Sequence, residues 1–74
     1  MKADRREKFV ELAEKRVNKA IKDINLVGNL SNRSNYSYTD QDVKKIVSAL
    51  RKAVDEMKAR FDRNARGSEG TFKL

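Results

Sequence analysis

The chain is 74 residues long and carries 18 Lys and Arg against 11 Asp and Glu, a formal net charge of +7, with no Cys, His, Pro or Trp. Lacking Cys, it has no disulfide framework or thiolate metal site; lacking His, it has no imidazole base or ligand. The expectation is therefore one small non-enzymatic domain with no metal and no cofactor.

No run approaches the ~18 consecutive apolar residues of a membrane span. The basic start, residues 1–8, leads into a mixed-charge pattern rather than the apolar core of a signal peptide. A cytoplasmic protein that stays off the membrane is expected. A folded chain this short hides only roughly 60% of the surface its unfolded form exposes. With disulfides and zinc excluded by composition, regular helix packing and oligomerisation are the remaining sources of stability.

Over residues 4–27 the apolar positions are Phe9, Val10, Ala13, Val17, Ala20, Ile21, Ile24 and Val27. At 3.6 residues per turn they fall within an arc of about 120°, the signature of a strongly amphipathic helix. Leu12 and Leu26 lie outside that arc. Gly28 follows the last periodic residue, where a left-handed C-cap would end the helix.

The next segment, residues 28–39, is rich in side chains that bond their own backbone in turns, and predicts an ordered loop. It is longer than a minimal helix connection, and long loops tend to carry function. Asn29, Asn32 and Asn35 recur every third residue, with Arg33, Tyr36 and Tyr38 among them. Amides read polar edges, Arg forks onto carboxylate or phosphate, and Tyr offers a flat amphipathic surface. These six residues are the candidate partner-binding site. The same pattern also fits a purely structural cap, with Asn residues in left-handed and Asx-turn geometry and both Tyr covering the helix ends.

A second helix is predicted over residues 40–63. Val43, Ile46, Val47, Leu50, Ala53, Val54, Met57 and Phe61 again fill an arc of about 120°. Thr39 is a natural N-cap, Asp40 and Asp42 place negative charge in the first turn, and Tyr38 can staple onto Val43. Asp42 stands where a capping box prefers Glu or Gln. Residues 67–74 contain two Gly and no periodicity, and are expected to be a flexible tail from which Phe72 or Leu74 would reach toward a neighbouring loop.

Two helices of equal length joined by one loop predict an all-α antiparallel hairpin over residues 1–66. Each apolar arc is wider than a two-helix seam covers, so two hairpins are expected to pair about a two-fold axis as a homodimeric four-helix bundle. The expected core is Val10, Ala13, Val17, Ala20, Ile24, Val43, Ile46, Leu50, Ala53, Met57 and Phe61.

Charge is sorted on the first helix. Lys8, Lys15, Lys19 and Lys22 lie within about 60° of one another away from the apolar arc, beside an acidic strip of Glu7, Glu11 and Glu14. On the second, Lys45, Lys52 and Arg63 lie near the outer ridge. These seven cations are candidate phosphate contacts, which would give salt-sensitive, sequence-independent affinity for nucleic acid. They equally suit a solvated face with i,i+4 ion pairs such as Asp4–Lys8 and Glu11–Lys15.

Catalytic patterns are weak. Asp40 and Asp42 are explained by capping, and Ser31, Ser34 and Ser37 have no His to activate them. The leading expectation is a non-catalytic interaction module, acting as adaptor, regulator or inhibitor of another protein. The alternative is a basic nucleic-acid-binding accessory protein.

The run from Arg16 to Ile21, the string from Gly28 to Tyr36, then Tyr38-Thr39 and Asp42-Val43 resemble a group of short uncharacterised prokaryotic proteins, some of them encoded on plasmids and phages. The resemblance spans residues 5–62. It implies a bacterial or mobile-element setting and a helical hairpin, and it brings no activity with it.

Overall fold

A computed structural model describes residues 2–69 of the chain. Its elements are helix α1, Lys2–Gly28, one 3₁₀ turn, Asn29–Ser31, and helix α2, Asp40–Glu69. The described residues contain no strand. The chain divides after Ser37 into two units, each carrying one helix.

In the first unit, α1 runs two residues earlier than the periodicity indicated and takes in Gly28 as its last residue. Gly28 is not left-handed: its φ of −60° and ψ of −29° are right-handed helical. No described residue, glycine or other, has positive φ. The left-handed C-cap and the left-handed Asn residues expected from the sequence are therefore corrected. The physical reason is the 3₁₀ turn. Tightening to i→i+3 bonding lets α1 end without any residue crossing to positive φ, and the chain leaves helical space only at Asn32, whose φ of −72° and ψ of 101° are extended.

In the second unit the expected start is exact to the residue. Thr39 Oγ1 accepts the Asp42 backbone N–H at 3.1 Å, and Asp42 Oδ2 accepts the Thr39 N–H at 2.9 Å. The Thr39 carbonyl takes the first helical bond, from Val43 N–H at 3.2 Å. This is a complete capping box, with Asp in place of the usual Glu, and two orphan donors are satisfied reciprocally.

The far end of α2 differs from the expectation. The helix continues six residues beyond position 63, through Gly67 and Ser68 to Glu69, so residues 67–69 are helical rather than tail. Apolar periodicity stops at Phe61, but helix propagation needs only backbone bonding. The expected tail over residues 70–74 lies outside the described residues.

No described side chain is fully buried. Of the eleven expected core residues, Val10, Ala13 and Leu50 are half-buried, as are Leu12, Tyr38 and Asp62 elsewhere; the others are exposed. Within either unit taken by itself, these residues do not form a closed core. Along a single helix an apolar residue is shielded only by its i±3 and i±4 neighbours, which leaves a large side chain about half open. Phe9 and Met57, at 48% and 49% exposed, show that limit. The Arg6 guanidinium lies 5.9 Å from the centre of the Phe9 ring and covers part of it.

Candidate functional site

Three surfaces carry chemistry. The first is the turn after α1. The Asn32 carbonyl accepts the backbone N–H groups of Asn35 and Tyr36, each at 3.0 Å. Its side-chain Oδ1 accepts the N–H of Ser34 at 2.9 Å, an Asx-turn. One residue thus satisfies three successive amides, and Asn32 is a scaffold as well as a candidate contact. The turn brings Asn32, Arg33, Asn35 and Tyr36 onto one short arc, with Tyr36 49% exposed. Asn29 sits exposed in the preceding 3₁₀ turn. Tyr38 is half-buried in the second unit, directly before the capping box.

The second surface is basic. Lys8, Lys15, Lys19 and Lys22 are all exposed on α1, and Lys19 bridges to Asp23 at 3.0 Å. On α2, Lys45, Lys52 and Arg63 are exposed. A shallow depression on α2 is lined by Val43, Lys44, Val47, Ser48, Arg51, Lys52 and Asp55. Lys44 and Arg51 are not among the seven cations picked from the sequence. Their signal was a seven-residue spacing, which continues to Lys58 and keeps all three on one edge of the apolar stripe. Lys58 Nζ donates to Asp62 Oδ2 at 2.9 Å, and this hydrogen bond, together with the negative charge of the carboxylate, raises the Lys58 pKa above its ordinary 10.5. The bridges are of the i,i+4 kind expected of a solvated face, though at other positions than Glu11–Lys15.

The third surface comprises the apolar stripes. On α1, Phe9, Val17, Ile21, Ile24 and Val27 are between 36% and 55% exposed. On α2, Val43, Ile46, Val47, Val54, Met57 and Phe61 are between 39% and 56% exposed. Contiguous apolar rows of this size, rimmed by charge, mark association surfaces.

Among the described residues no three acidic groups come together as a metal site. Both first-turn carboxylates of α2 serve the helix start, Asp42 through its bond to Thr39 and Asp40 through its place against the dipole. No helix among the described residues is long and apolar enough to cross a membrane. The chain matches no family model, no characterised protein and no solved structure.

Proposed function

We propose that this protein is a non-catalytic helical interaction module that dimerises through its apolar stripes and binds another protein through the Asn32 turn. The observation that carries this reading is the pair of long amphipathic helices with no buried side chain among the described residues. Helices of this length hold together in water mainly by packing an apolar face, since propensity alone leaves them marginal. Association supplies that packing, and a two-fold four-helix bundle of antiparallel hairpins is the arrangement that covers both stripes. The outer faces and the turn then remain to meet a partner. Tyr36 and Arg33 are of the residue types that dominate interface energetics. A cytoplasmic bacterial or mobile-element setting fits such an adaptor, regulator or inhibitor.

Sedimentation equilibrium over micromolar concentrations tests the self-association. The expected species has twice the chain mass of 8.5 kDa. A stable monomer of 8.5 kDa with full helix content would overturn the reading. Leu50→Asp should abolish dimer and helix together, because the same residues then serve fold and interface.

A second reading, nucleic-acid binding, is favoured by the exposed Lys8, Lys15 and Lys22 and by the depression holding Lys44, Arg51 and Lys52. Titration with duplex DNA and RNA at several salt concentrations separates the two. Affinity falling steeply with salt supports the nucleic-acid reading, and no binding at low salt removes it.

A further inference from the structure

The two apolar stripes are edged differently. On α1, with residues placed at 100° each, Glu14, Glu7 and Glu11 stand about 80°, 100° and 140° from the centre of the stripe, all on the side of increasing angle. On α2, Lys58, Arg51 and Lys44 stand about 80°, 100° and 120° from the centre of that stripe, on the same side by the same convention. One helix therefore has an acidic edge where the other has a net basic one, on which Asp62 and Asp55 stand at about 120° and 140° beside the three cations.

Handedness decides which edges meet. Turning one helix over to run antiparallel beside another is a rotation about an axis perpendicular to both, and it brings like-named edges together. Parallel helices meet through opposite edges. An antiparallel α1–α1 contact would thus set Glu7 and Glu14 against their own copies. An antiparallel α2–α2 contact would set Lys44, Arg51 and Lys58 against theirs. Only α1 against α2 sets the acidic edge on the basic one. Glu7 and Glu14 share the seven-residue spacing of Lys44, Arg51 and Lys58, so one register that sets Glu14 against Arg51 also sets Glu7 against Lys58. The bridge from Lys58 to Asp62 joins an exposed ammonium to a carboxylate that is 48% exposed, and such a pair gives way to a competing carboxylate.

We infer that a second copy of this chain covers the stripes in the heterotypic, antiparallel sense, α1 of each copy lying against α2 of the other with the Glu7–Glu14 edge on the Lys44–Lys58 edge. This rests on the self-association proposed above and names its pairing rule. The eleven stripe side chains that are 36% to 56% exposed leave on the order of 1,000 Å² per chain, so two copies hold enough for the ~1,600 Å² that a stable interface buries. Charge along the edge then fixes orientation and partner choice, as it does along coiled-coil flanks.

The test uses two full-length variants, Glu7→Lys/Glu11→Lys/Glu14→Lys and Lys44→Glu/Arg51→Glu/Lys58→Glu, studied alone and mixed at low salt. Both keep a net positive charge, so gross attraction between them is absent. Each alone faces like charge across the interface and should dimerise roughly tenfold more weakly than wild type, or worse. Mixed one to one, every α1–α2 contact between chains is complementary again. Native mass spectrometry should then show mainly mixed dimer, with affinity within a few-fold of wild type.

Homodimers as tight as wild type, or a mixture no tighter than its components, overturn the inference. Should the triple variants lose helix content, the single pair Glu14→Lys and Arg51→Glu gives the same comparison at smaller amplitude. Failure of wild type itself to dimerise instead refutes the self-association, which the wild-type control reports separately.

Discussion

Replacing Gly28 by Ala is expected to stabilise the protein. Gly28 closes α1 in right-handed helical geometry, φ −60° and ψ −29°. A Cβ added there meets nothing within 4 Å, so Ala fits without displacing a neighbour. In a helix, Gly is less favourable than Ala by roughly 0.5–1 kcal/mol, chiefly because its unfolded chain has more freedom to lose. Position 28 leads straight into the 3₁₀ turn, and about 0.5–1 kcal/mol is the expected gain there. For a chain of this size that is a rise in Tm of about 2–8 °C. Thermal unfolding followed by far-ultraviolet circular dichroism, at matched protein concentration because association shifts Tm, reads the change. The sign is decisive. A left-handed Gly28 would make Ala destabilising by about 1–2 kcal/mol, so a lowered Tm would refute the right-handed helix end and the role given to the 3₁₀ turn.

Thr39→Ala removes the acceptor for Asp42 N–H and should cost about 1 kcal/mol, with faster amide exchange at Asp42 and Val43; Thr39→Ser should restore both, and a silent Thr39→Ala would exclude the capping box. Asp42→Ala combined with Thr39→Ala should cost less than the sum of the two, since the two bonds form one reciprocal unit. Arg33→Ala and Tyr36→Ala should leave helix content unchanged while weakening capture of a protein partner by ~1 kcal/mol or more; unfolding in either variant would make the turn a structural cap only. Because the Lys58 pKa is raised in the folded chain, its bridge to Asp62 helps fully below pH 10.5 and is lost as pH rises through the raised value. Any stability difference between wild type and Lys58→Met should accordingly vanish in strongly alkaline solution and persist at neutral pH, as melting curves at the two pH values will show.

The helices were legible because their signals are redundant. Over α2, periodicity, the N-cap at Thr39 and the first-turn carboxylates all indicate one start, and the bonds of Thr39 and Asp42 are those the spacing implies. Helix ends were less legible. Gly28 carries the usual stop signal, yet a Gly is equally free to take right-handed geometry, and the 3₁₀ turn that makes this possible leaves no mark in composition. Beyond Phe61 the stripe ends before the helix does, because periodicity reports burial rather than backbone bonding. In the turn, the three-residue recurrence of Asn drew attention to Asn29, Asn32 and Asn35 alike, whereas Asn32 alone organises the backbone. The basic edge at Lys44, Arg51 and Lys58 is less legible, because these three border the apolar stripe rather than the outward face where solvated charge collects.

The closure around Asn32 has a consequence for how the protein tolerates a change of company. The bonds from Asn32 to Ser34, Asn35 and Tyr36 span at most four positions, and so do the bonds between Thr39, Asp42 and Val43 that follow. Contacts so short-ranged form without waiting for distant segments to meet. The turn is therefore a local motif, whereas the helix start holds only while α2 is packed. A partner that reads Tyr36 would meet the same turn whether the stripes are covered by a second copy or by a foreign helix.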